Sequence, residues 1–139
     1  MDILVVDDNE FAHAILRDIL LAMRIKDIRH ARSGKECLKA IVSKLPDIVI
    51  VDLLMKPMSG FELIKRIRAH NVDDIRHLPL LVVSAYSSMD YVTKARDVGA
   101  SEVLCKPISV NSVYDRLVHM RNSPRQFVRT KAYVGPDRR

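Results

Sequence analysis

Apolar residues follow two alternating rhythms along this chain. Short, nearly unbroken runs fall at Asp2 to Val6, Ile25 to Ala31, Asp47 to Asp52, Leu78 to Val83 and Glu102 to Lys106. Between them lie longer stretches in which apolar positions recur every three or four residues. Runs that lack polar alternation indicate strands buried on both faces, as in a parallel sheet covered by helices. Five strand-then-helix alternations with short connections predict an α/β, doubly wound layer structure. No internal repeat interrupts the series.

The helical stretches carry their own start and stop signals. The first runs from Asn9 to Met23, with Phe11, Ile15, Ile19 and Ala22 at helical spacing and an acidic start, Asp8 to Glu10. Ser33 caps a second, to about Lys44, with Cys37, Leu38, Ile41 and Leu45 facing inward, and Pro46 stops it. Lys56-Pro57-Met58-Ser59-Gly60 turns the chain into a third, Phe61 to Ala69, with Phe61, Ile64 and Ile67 inward. A polar stretch, Asn71 to His77, precedes the fourth strand. Ser88 to Val98, ended by Gly99, is the fourth helix. Ser109 caps the fifth, with Val110, Val113, Leu117 and Met120 on one face, and Pro124 marks the end of the domain.

Composition sharpens this picture in three respects. A length of 139 residues, 48% hydrophobic and 29% charged, suits one domain with a real core, expected over residues 1–121. No apolar stretch approaches the ~20 residues of a membrane helix, and Met1-Asp2 opens directly into a strand without a cleavable leader, so a soluble, cytoplasmic protein with no membrane partner is expected. The formal charge of +6 is uneven. Arg125, Arg129, Lys131, Arg138 and Arg139 against Asp137 give a basic tail at 122–139 a net +4, leaving the body mildly charged. That distribution argues against a dedicated DNA-binding domain. Cys37 and Cys105 have no metal-ligand or disulfide spacing and are expected to be reduced and buried. His13, His30, His70, His77 and His119 likewise show no ligand spacing; they read as solvated or capping groups, and none offers a catalytic base.

Chemistry gathers where the runs end. Asp7-Asp8, Asp52, Ser84 and Lys106 each stand at the carboxyl end of an apolar run, and ligands of open α/β sheets bind beyond the carboxyl ends of the strands. Singly, each has an ordinary explanation: Asp7-Asp8 as helix capping, Asp52 as a turn acid before Pro57 to Gly60. Their conjunction points to one operation, a carboxylate accepting a phosphoryl group beside a divalent cation. Mg²⁺ requires near-octahedral oxygen ligands, which two or three carboxylates plus phosphate oxygens supply. An aspartate can accept a phosphoryl group covalently, with a lysine and a hydroxyl stabilising the transferred charge. Parallel strands lie about 4.8 Å apart, so a lysine two strands from Asp52 has about 10 Å to cover, within reach of its stem.

Val5-Val6-Asp7-Asp8, Asp52 with Met55, Met58 and Gly60 behind it, Ser84-Ala85 and Lys106-Pro107 resemble the receiver domain of two-component response regulators, over residues 1 to about 121. The resemblance implies a flavodoxin-like five-stranded parallel sheet, order 2-1-3-4-5, with five helices. It also implies Asp52 as phosphoacceptor, and Asp8, Asp52 and the Leu54 backbone carbonyl as direct Mg²⁺ ligands, with Asp7 acting through water. Ser84 and Lys106 would bind phosphoryl oxygens, the Lys106-Pro107 peptide would be cis, and phosphorylation would draw Ser84 inward and reshape the face of the fourth helix, fifth strand and fifth helix. The implied protein is a signalling phosphoacceptor rather than an enzyme. Its implied partners are a sensor histidine kinase or phosphotransfer protein and a downstream protein target, and homodimerisation through the same face is a further possibility.

Three positions depart from the family pattern. Val103 stands where an aromatic switch residue is frequent, with Tyr86 on the adjacent loop as its substitute. Leu54 is apolar where polar groups are frequent, and with Tyr86 it would shield the acyl phosphate and slow its loss. Lys56 sits where proline is usual, with Pro57 one place later. The tail contains Phe127, Val128, Tyr133 and Val134, which suits an extension packing on its own domain ahead of a partner-docking peptide, with nucleic-acid binding third. Two alternatives stand beside the receiver reading: a phosphorylation-independent adaptor acting through this tail, and a metabolic phosphatase. The phosphatase is disfavoured because Asp52 has no second acid two residues on.

Overall fold

The computed structural model describes residues 1–86, 88–122, 127–129 and 133–136. The order is β1 (Asp2–Val6), α1 (Glu10–Ala22), β2 (Asp27–Ala31), α2 (Gly34–Ser43), β3 (Ile48–Asp52), α3 (Gly60–Arg68), α4 (Asp73–Arg76), β4 (Leu80–Ser84), α5 (Met89–Val98), β5 (Glu102–Cys105), α6 (Val110–Asn122), β6 (Phe127–Arg129) and β7 (Val134–Pro136). The first five strands form a parallel sheet in the order β2-β1-β3-β4-β5, which is the flavodoxin-like arrangement. Apolar side chains leave it on both faces. Leu4, Val6, Val49, Val51, Leu80 and Val82 pack with α2, α3 and α5. Ile3, Val5, Ile48, Ile50, Leu81 and Val83 pack with α1 and α6. Alternation along each strand thus fills two cores at once, which is why these strands read as unbroken apolar runs.

Register decides what the strands deliver. Val6 pairs with Val51, Asp52 with Val83, and Ser84 with Cys105. Asp7, one residue past β1, therefore stands level with Asp52, the last residue of β3.

Several expectations change in the structure. The stretch Asn71 to His77 contains a one-turn helix, α4, so six helices rather than five are present among the described residues. Ile75 anchors it in the core, and the Arg76 guanidinium pairs with Asp73; one buried apolar residue is too little for a helical period to show. On α1, the inward face is His13, Leu16 and Leu20, whereas Phe11 and Ile15 are 82% and 55% exposed. This helix carries two apolar stripes about one residue apart, and periodicity alone cannot choose between them. Leu45 is exposed because Lys44, the C-cap of α2, is already extended, and Val110 is exposed at the first position of α6. Cys37 is buried, its thiol pushed up to about 12 by desolvation, but Cys105 is only half-buried.

The lower end of the sheet is tied by Arg68, which is 2% exposed. Its guanidinium donates to the carbonyls of Gly99, Arg76 and Leu78 at 2.8, 2.7 and 2.7 Å. Burial lowers its pKa to about 9, so it remains a cation at neutral pH. In the tail, β6 and β7 pair antiparallel, and Tyr133 is buried with its hydroxyl donating to the Pro136 carbonyl at 2.6 Å. Gly135 lies against the turn between α5 and β5, where an added β-carbon would stand 3.1 Å from the Gly99 α-carbon. Ser123, Pro124 and the closing Asp137-Arg138-Arg139 lie outside the described residues.

Candidate functional site

Asp7, Asp8 and Asp52 converge because β1 and β3 are neighbours in register. One carboxylate oxygen from each lies within 4.8 Å of the other two. Asp7 is buried, Asp52 half-buried and Asp8 exposed, so the cluster opens to solvent on one side. Burial pushes the Asp52 carboxyl above the ordinary carboxylate value, with the charges of Asp7 and Asp8 adding to the effect; the Leu54 amide, 3.2 Å from Oδ1, and Lys106 act against it. Like charges held this close call for a cation. The cluster offers hard carboxylate oxygens with no sulfur or imidazole among them, a donor set that fits Mg²⁺ rather than a soft metal.

Lys106, Leu54 and Val83 line the same cavity of about 540 Å³ as the three acids, together with Phe11 and Ile15 of α1. Exposed Phe11 and Ile15 thus form an apolar wall beside the carboxylates. The Lys106 amide donates to the Ser84 carbonyl at 2.7 Å, which fixes the end of β5 against β4, and the Lys106-Pro107 peptide is cis, as is Lys56-Pro57. Ser84 is 1% exposed, and its Oγ accepts the Tyr86 amide at 3.0 Å.

Tyr86 does not line that cavity; it stacks on Tyr91 of α5 with ring centroids 4.7 Å apart, and Tyr91 stacks on Phe61 of α3 at 6.3 Å. Lys94 Nζ lies 4.4 Å from the Phe61 ring centre. Val103 is 9% exposed on β5. The aromatic group at this end of the molecule therefore bridges the β4–α5 loop, α5 and α3.

Sequence reasoning missed His13. It is 7% exposed rather than solvated, with Nε2 2.5 Å from the Asp7 carbonyl oxygen and Nδ1 2.7 Å from His30 Nδ1. Nothing in the sequence signalled it, because the two histidines come from α1 and β2 and meet only once β2 is paired with β1. Burial, then His13, Arg17 and Arg32, hold the His30 pKa below its usual value.

A five-stranded parallel sheet in this order with an acidic cluster at its carboxyl edge defines a class of signalling domain, and the sequence agrees. Residues 3–118 match the response regulator receiver domain family, and the chain belongs to it. It is 29% identical over 133 residues to the polar-differentiation response regulator DivK of Brucella anthropi, covering 96% of this chain and 95% of that one. It is 32% identical over 136 residues to the transcriptional regulatory protein ZraR of Klebsiella oxytoca, covering 95% of this chain and 30% of that longer protein. A response regulator structure from Chloroflexus aurantiacus superposes with a TM-score of 0.80 at 29% identity, over 86% of this chain and 95% of the other. The chemotaxis protein CheY4 of Vibrio cholerae, at 24% identity, shares the fold with a TM-score of 0.76 over 85% and 96% of the two chains. The chain is thus a receiver of two-component signalling, a family that takes phosphoryl groups from histidine kinases or phosphotransfer proteins and binds Mg²⁺ at an acidic pocket. No helix among the described residues is long and apolar enough to cross a membrane.

Proposed function

We propose that this chain accepts one phosphoryl group on Asp52 from a histidine kinase or phosphotransfer protein and signals by binding another protein in its phosphorylated form. The observation that carries this reading is the meeting of Asp7, Asp8, Asp52 and Lys106 around one open cavity at the carboxyl edge of the sheet. An Asp52 carboxylate oxygen attacks the phosphorus of the donor, the oxygen–phosphorus bond forms as the phosphorus–nitrogen bond of a phosphohistidine breaks, and the imidazole leaves. Lys106 and Ser84 hold the phosphoryl oxygens. Asp8, Asp52 and the Leu54 carbonyl would hold Mg²⁺ directly, with Asp7 acting through water. When bound, the cation supplies charge neutralisation for the incoming group.

The unit performing this is residues 1–121, with 122–139 as an appended tail. Its output rests on Ser84, Tyr86 and Val103, and on the face of α5, β5 and α6. Exposed Met89 and Tyr114 on that face suit a downstream partner or a second copy of the chain.

Intact-mass analysis after incubation with acetyl phosphate and Mg²⁺ tests the reading. One phosphoryl adduct, lost in Asp52→Asn, is expected. A folded protein that takes up none would overturn it in favour of a phosphorylation-independent adaptor acting through its tail.

A further inference from the structure

Asp7 is held by its backbone as firmly as by its side chain. Its amide donates to the Ala31 carbonyl of β2 at 3.1 Å, and its Oδ1 accepts the Asn9 amide at 2.9 Å. Its own carbonyl oxygen meets His13 Nε2 at 2.5 Å. A carbonyl oxygen can only accept, so the proton of this contact sits on His13 Nε2. With His13 neutral, its Nδ1 is then a lone pair, and the proton of the 2.7 Å contact with His30 belongs to His30 Nδ1. Arg17 and Arg32 line the pocket beside both rings, with Glu10 paired to Arg32, and after burial and His13 the two arginines disfavour a charge on His30. The bonds thus run from β2, through a buried side chain on α1, to the peptide bearing the first acid of the cluster. Ala31 and His30 are adjacent, so β2 grips Asp7 twice, once directly and once through His13.

We infer that His13 is a positioning residue for the cation site, its Nε2–H fixing the Asp7 carbonyl while His30 fixes the His13 tautomer. The inference rests on reading Asp7, Asp8 and Asp52 as the Mg²⁺ site. Mg²⁺ tolerates little departure from octahedral geometry, so a ligand loop held loosely loses affinity. Groups that orient metal ligands without touching the metal typically account for about 10–100-fold in affinity. A histidine that merely filled the seam between α1 and β2 would be replaceable by leucine at no cost to the cation.

Two measurements on the full chain decide the matter. Ring ¹⁵N shifts of the metal-free protein near neutral pH should show His13 protonated at Nε2 and His30 at Nδ1; the opposite tautomer at His13 overturns the inference. Calorimetric Mg²⁺ titration of wild type, His13→Leu and His13→Gln, with thermal unfolding without Mg²⁺ as the folding control, should show His13→Leu weakened by about tenfold or more. His13→Gln, whose amide can place a donor near the Nε2 position, should recover most of that loss. Wild-type affinity in His13→Leu, or equal losses in both variants, overturns the inference and leaves the cation site standing. A wild-type chain that binds no Mg²⁺ overturns the underlying reading of the acids and, with it, the positioning role. Should His13→Leu fail to fold, the glutamine variant and the tautomer spectrum carry the test.

Discussion

Gly60 lies so close beneath Asp52 that a β-carbon added to it would stand 2.4 Å from the Asp52 carbonyl oxygen and 2.6 Å from the Leu53 α-carbon. The Gly60 amide also donates to the Leu53 carbonyl at 2.9 Å, so the start of α3 is clamped to the end of β3. The atoms in the way are backbone and cannot swing aside. Gly60→Ala is expected to destabilise the fold by about 1–3 kcal/mol and to weaken Mg²⁺ binding, because the displaced peptide is that of Asp52. Urea unfolding with and without Mg²⁺ measures both effects; an alanine variant matching wild type in both would show that the loop yields.

Leu54 lines the cavity beside Asp52 and is 47% exposed. An asparagine there brings polar atoms that can order water next to an acyl phosphate. Leu54→Asn is expected to shorten the phosphoryl lifetime several-fold with little effect on stability, read as loss of the mass adduct after the donor is removed. An unchanged lifetime would count against water exclusion by this side chain.

The His30 pKa lies below its ordinary value of 6.5, chiefly through burial and then through His13, Arg17 and Arg32. The unfolded chain therefore takes up this proton first as pH falls below 6.5, and stability is lost in that direction, with no contribution above both values. The melting temperature is expected to fall between about pH 7.5 and about pH 5.5, and the fall should be smaller in His30→Gln. Equal slopes for the two proteins would remove His30 from the acid response.

Arg68 supplies three carbonyls, those of Gly99 and Leu78 in buried contacts, with donors from one guanidinium. Arg68→Leu leaves Gly99, Arg76 and Leu78 short of those donors and should cost roughly 3 kcal/mol in urea unfolding. Arg68→Lys should recover only part of this, since an ammonium cannot reproduce the planar fork. Full recovery by lysine would mean that the charge, and not the fork, matters.

The sheet was legible from sequence because strands buried on both faces leave no polar interruption, so five runs stood out and the ends of four of them carried Asp7, Asp8, Asp52, Ser84 and Lys106. Helix faces were less so. In α1, Ile15 and Leu16 are adjacent, and only packing into the core cluster that includes Val5 and Leu117 decides that Leu16 turns inward. His13 was invisible for a related reason, since its partners lie 6 and 17 residues away, separations that match no helical spacing. The stack of Tyr86, Tyr91 and Phe61 draws one ring from each of three segments, a juxtaposition that no local pattern encodes.

Gly135 meets Gly99 at the turn that feeds β5, whereas Asp52 and Lys106 stand where their strands finish. Gly135 of β7 and the acidic cavity therefore stand at opposite rims of the sheet. On the proposed function, a phosphodonor approaches Asp52 from the rim away from the Gly135–Gly99 contact.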